Sequence, residues 1–63
     1  LTPLHIASQN GHLECVRELV ERGGRVNEKN NYGGTPLHIA SEHGRLECVR
    51  ELVERGGRVN EKA

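Results

Sequence analysis

A chain of 63 residues has room for one small domain, which buries only about 60% of its unfolded surface and so has a marginal core. Its apolar third (33%) is aliphatic, with Tyr32 as the one aromatic and no Trp, Phe or Met, a composition suited to thin layers of packed helices. Nine basic residues balance nine acidic ones, which argues against nucleic-acid binding, and no apolar run approaches the roughly 20 residues needed to span a bilayer.

Taken in chain order, the first element is a short helix predicted near Pro3–Asn10. Thr2 is its N-cap, and Pro3 occupies the first helical position, where a missing N–H costs nothing. Gly11 suits the position after its end, where positive φ is needed. A second helix is predicted near Leu13–Arg22, with Val16, Leu19 and Val20 forming an apolar stripe at helical period. Arg17, Glu18, Glu21 and Arg22 lie on its other face, where Arg17–Glu21 and Glu18–Arg22 are spaced for ion pairs of a solvated surface. The connector from Arg25 to Gly34 is rich in Asn and Gly and reads as a hairpin-like turn.

The elements then recur. At an offset of 33, Thr2–Asn30 lies over Thr35–Ala63 with 25 of 29 pairs identical; the differences are Gln9/Glu42, Asn10/His43, His12/Arg45 and Asn30/Ala63. The third and fourth helices are accordingly expected near Pro36–His43 and Leu46–Arg55. Repeat 1 covers about 1–29 and repeat 2 about 30–62 of one segment, 1–63. Neither helix of a pair is long enough to be stable alone, so Leu4, Ile6, Ala7, Val16, Leu19 and Val20 are expected to pack against their equivalents in the second copy.

Thr2-Pro3-Leu4-His5-Ile6-Ala7 and Thr35-Pro36-Leu37-His38-Ile39-Ala40 resemble the T-P-L-H-x-A signature of ankyrin repeats, at that family's 33-residue spacing. Gly11-His12-Leu13-Glu14, Val16, Leu19, Gly23 and Val26-Asn27 continue the pattern over the whole chain. The resemblance implies an all-α ankyrin-repeat solenoid: two stacked antiparallel helix pairs joined by a hairpin-like finger loop. It also implies a concave surface, made by the fingers and the first helices, that binds partner proteins. The family's variable positions fall on Gln9, Asn10, Asn31, Tyr32, Gly34, Glu42 and His43, with Leu1 equivalent to Gly34. His5 and His38 are expected to hydrogen-bond with the turn. Gly24 and Gly57 stand where the family usually has Ala, and Asn30 where it usually has Asp, so a looser finger is expected.

No catalytic or metal constellation competes with this reading. His12-Leu13-Glu14-Cys15 offers one H-x-x-C pair against the four ligands of a structural zinc site, and Gly33-Gly34-Thr35 lacks the spacing and lysine of a phosphate loop. Cys15 and Cys48 are one repeat apart. Stacked helices lie about 8–10 Å apart and a disulfide needs Cα atoms within roughly 7 Å, so two separate buried thiols are expected. With no signal peptide in evidence, that favours an intracellular setting, cytoplasmic or nuclear.

The expected function is therefore protein–protein interaction without catalysis or cofactor. The partners would be another protein, flanking repeats or a head-to-tail copy of the chain, and neither nucleic acid nor membrane. The alternative is an engineered or structural repeat array with no ligand of its own. A start at Leu1 rather than Met suggests a segment of something longer, and the uncapped aliphatic faces suggest a chain that is not self-sufficient.

Overall fold

The computed structural model describes residues 2–61; Leu1, which the repeat register pairs with Gly34, lies outside them, as do Lys62 and Ala63. Four helices follow in order: α1 (Pro3–Gln9), α2 (Leu13–Glu21), α3 (Pro36–Glu42) and α4 (Leu46–Glu54). Each ends one residue earlier than expected. Among the described residues there is no strand.

Each start and stop has a local cause. Thr2 Oγ1 accepts from the His5 N–H (3.3 Å) while the Thr2 N–H donates to His5 Nδ1 (3.2 Å), a reciprocal cap repeated by Thr35 and His38. At the end of α1, Gly11 (φ 71°) lets the chain reverse, so that its own N–H reaches the Ser8 carbonyl and the His12 N–H reaches that of Ala7. This is the Schellman pairing of otherwise orphaned carbonyls, and all four helices end with it. The reversal leaves α2 antiparallel to α1 and α4 antiparallel to α3.

The pairs stack α1 on α3 and α2 on α4. All four helices supply the core: Leu4 and Ala7, Val16, Leu37 and Ala40, and then Cys48 and Leu52. The expected apolar stripe needs correction at its ends, because identical residues are buried unequally. Ile39 is 9% exposed but Ile6 is 47%, and Val20 is half-buried while Val53 is exposed. Ile faces the preceding repeat and Val20 the following one, so each is covered in only one copy.

The same reason corrects the thiols. Both cysteines are free, as expected, but only Cys48 is buried (1% exposed) and Cys15 faces solvent. Burial raises the Cys48 thiol above its ordinary value, against the opposing pull of Arg45.

Candidate partner surface and repeat junction

The finger is built on Asn30. Its N–H donates to the Gly34 carbonyl (2.8 Å) and its carbonyl accepts from Gly33 (3.0 Å), a tight turn that places Gly33 at φ 80°. Asn30 Oδ1 accepts further from the N–H groups of Tyr32 and Gly34, each at 2.9 Å. Asn therefore closes the turn with the acceptor that Asp would supply, contrary to the expected loosening. The Gly34 carbonyl accepts from Nε2 of His5 (3.0 Å), as Glu61 accepts from His38 (2.8 Å). With Nδ1 facing the Thr donors and Nε2 a carbonyl, each ring fits the neutral Nε2–H tautomer, which ties the helix start to the next loop.

Gly24 also differs from the expectation. Its N–H donates to the Leu19 carbonyl (2.8 Å), and a Cβ there would stand 2.8 Å from that same oxygen. The close approach tightens the end of α2 instead of slackening it; Gly57 on Leu52 repeats it.

The seven expected partner-binding residues form two groups. Asn31 and Tyr32 are exposed at the finger tip, Tyr32 to 90%. Gln9 and Asn10 end α1, Glu42 and His43 end α3, and all four are exposed. Since the finger leads into the start of α3, its seven residues separate the groups by about 10 Å. His43 Nδ1 lies 3.0 Å from the Ile39 carbonyl. Gly34 is buried, with both backbone polar groups engaged, so its part is to hold the finger.

Sequence reasoning missed the polar seam between the copies. Glu51, 9% exposed in its side chain, accepts from Arg17 Nε (3.3 Å) and Arg55 Nε (2.7 Å). Arg17 also meets Glu14, and Arg55 meets Glu21, so five charges alternate across α2 and α4. The expected Glu18–Arg22 pair forms; Arg17 turns to Glu14 and Glu51 instead of Glu21. Burial pushes the Glu51 carboxyl up, but hydrogen bonds from Arg55 and Arg17 outweigh it and hold the group below its usual range. Asn27 reaches across the seam on its two ends, donating to the Gly56 carbonyl (3.1 Å) and accepting from the Arg58 N–H (3.0 Å). Arg45 Nε donates to the Gln9 carbonyl (2.9 Å), fastening the end of α1 to the start of α4. One signal pointed there, since Arg45 and Gln9 are both among the four positions at which the copies differ.

No three His, Cys, Asp or Glu side chains gather as a metal site among the described residues. No described helix is long and apolar enough to cross a membrane. Stacked helix pairs with an exposed finger and a polar seam define a helical repeat protein of the kind that presents surface to other proteins. The sequence profile described as "Ankyrin repeats (3 copies)" matches residues 1–63, and the chain belongs to that family. Ankyrin repeats are generally protein–protein interaction modules and typically non-catalytic.

Relatives match over single-repeat lengths. A probable E3 ubiquitin-protein ligase, XBOS32 of Oryza sativa subsp. japonica, is 51% identical over 35 residues, 56% of this chain and 7% of the relative. Ankyrin repeat domain-containing protein 13B, from Mus musculus and Homo sapiens, is 50% identical over 34 residues, 54% of this chain and 5% of the relative. The matched stretch is thus a small fraction of each relative's length.

Proposed function

We propose that the chain is a protein-recognition module without catalytic role, whose partner meets the finger tip and the ends of the first helices. Asn31, Tyr32, Gln9, Asn10, Glu42 and His43 form the contact surface, and Gly34 supports the finger beneath it. One observation carries this reading: the chain's single aromatic side chain is 90% exposed at the tip of a turn pinned by Asn30. A Tyr on a fixed backbone supplies large amphipathic contact area at small entropic cost, which is why Tyr is enriched among binding hot spots. Two free thiols fit a reducing intracellular setting, cytoplasmic or nuclear.

Calorimetry against a protein captured by the chain tests the surface. Tyr32→Ala with Glu42→Ala and His43→Ala should weaken binding by about tenfold or more while circular dichroism stays unchanged. Glu21→Ala with Arg22→Ala should matter much less, and the reverse pattern moves the site to the outer helices.

The near identity of the copies favours a second reading, an engineered or structural array with no ligand of its own. Adjoining repeats that differ at the Gln9, Asn10, Asn31 and Tyr32 positions support recognition; adjoining repeats that stay near-identical there support the array.

A further inference from the structure

Asn10 and Gly11 form the one Asn–Gly pair in the chain; Asn27, Asn30, Asn31 and Asn60 are followed by Glu28, Asn31, Tyr32 and Glu61. The pair carries a latent reaction, because an asparagine side chain and the next residue's backbone nitrogen are spaced to close a five-membered ring. A following side chain shields that nitrogen, and glycine has none. In the second copy the equivalent pair is His43–Gly44, whose imidazole offers no carbonyl to attack. The first copy is thus reactive where the second is inert.

The pair also stands where the chain opens most readily. Asn10 is the C-cap of α1, and both it and Gly11 are exposed. By contrast, the side-chain amides of Asn27 and Asn30 are held in hydrogen bonds, the first by Gly56 and Arg58, the second by Tyr32 and Gly34. The Gly11 N–H donates to the Ser8 carbonyl at 3.3 Å, the longest of the four equivalent helix-end bonds, which measure 3.1 Å at Gly23, 3.2 Å at Gly44 and 3.1 Å at Gly56. That length lies past the usual range, which ends at about 3.2 Å, so the hold on this nitrogen is weak. Ring closure also requires Asn10 to turn away from its ψ of 0°, so the reaction runs from the frayed end of α1.

We propose that Asn10 is a site of spontaneous deamidation. The Gly11 nitrogen gives its proton to a base and attacks Cγ of Asn10; a new C–N bond closes the imide, the bond from Cγ to the side-chain nitrogen breaks, and ammonia leaves carrying a proton from the base. Water then opens the ring, its hydroxyl going to one carbonyl carbon and its proton to the ring nitrogen. Opening at Cγ leaves aspartate in an unchanged main chain. Opening at the main-chain carbonyl leaves isoaspartate, with the chain threaded through the β-carbon. That extra backbone atom takes the Gly11 and His12 N–H groups out of register with the Ser8 and Ala7 carbonyls. Either product sets a carboxylate beside Arg45, whose Nε lies 3.3 Å from where a Cβ on Gly11 would stand, and a cation so placed favours the acid's charged form. The chemistry is independent of any partner; its bearing on recognition rests on the contact surface proposed above, in which a neutral amide becomes an acid.

Peptide mapping by mass spectrometry reads the site directly, on the 63-residue chain aged in neutral and mildly alkaline buffer with no partner present. Residue 10 should gain the mass of an acid over an amide before any other Asn does. The gain should be faster at the higher pH, because the attacking nitrogen must lose its proton. Protein-isoaspartate methyltransferase should label the aged chain and not the fresh one. Asn10→His installs the residue that the second copy carries in the same cap, and it should abolish both signals with circular dichroism unchanged. A short peptide spanning Ser8–Leu13 is the unstructured reference and should react several-fold faster than the chain, whose turn must open first. An amide still intact at Asn10 when the peptide's own is spent overturns the proposal. So does deamidation that falls first on another Asn, or methyltransferase labelling that survives Asn10→His.

Discussion

Glu51 sits between two guanidiniums with 9% of its side chain exposed, and its charge is useful only while those contacts last. Its carboxyl titrates below the ordinary 4.5, so in that range the unfolded chain binds more protons than the folded one. The stability it contributes is whole above 4.5 and lost as pH falls through the depressed folded value. Glu61, held low chiefly by the hydrogen bond from Lys29, acts in the same direction. Urea midpoints of the wild type should therefore drop on acidification from about pH 5 to about pH 3, and Glu51→Gln should show a smaller drop. Equal drops would mean that the seam does not titrate with folding. At the same scale, Ile39→Ala should cost about 2–5 kcal/mol and Ile6→Ala less than half of that, because one side chain is 9% exposed and the other 47%. Equal losses in urea titrations would show that the two faces are equally covered in solution.

Among elements, the finger depends most on one residue. Asn30 Oδ1 serves two N–H groups, and the carbonyl of Gly34 beneath it receives His5 Nε2. Asn30→Ala should cost about 1–3 kcal/mol, the worth of two such bonds. Asn30→Asp keeps the acceptor and should be close to neutral in thermal melts. All four helices have a glycine-assisted end, but only α1 and α3 have a side-chain cap at the start; α2 and α4 have none. A cap alone does not hold seven to nine residues in a helix, and the burial of α1 on α3 and α2 on α4 supplies the remainder.

For the whole molecule, the core is a single cluster shared by four helices, so stability should be lost in one cooperative step. Leu37, 6% exposed at the middle of that cluster, is the place to test this: Leu37→Ala should cost about 2–5 kcal/mol in urea. A loss under about half a kilocalorie would mean that the stripe is misassigned. The two thiols give a second view. In dilute solution Cys15 should react at once with an alkylating reagent and Cys48, 1% exposed, only at the rate of opening. Leu37→Ala should speed Cys48 labelling by the same free energy that it removes from folding.

The sequence by itself determined the repeat, the four helices to within a residue at their ends, the caps and the family, because these follow from local signals that both copies carry: Thr-Pro starts, apolar residues at helical spacing, glycine stops. It also marked the exposed positions of the finger tip and the helix ends. What it could not decide is which member of each identical pair is buried. Ile6 and Ile39, Cys15 and Cys48, Ser8 and Ser41, Glu18 and Glu51 are equivalent residues in nearly the same local sequence, and no periodicity within one repeat tells which of them is covered. The tertiary structure decides, because burial belongs to the neighbour and not to the residue: Ile, Cys and Glu look back toward a preceding repeat, Ser looks forward, and each is covered only in the copy that has a neighbour on that side. The pairs that cross the seam, Arg17–Glu51 and Glu21–Arg55, have the same origin, since their partners stand 34 residues apart in sequence, where no helical periodicity reaches.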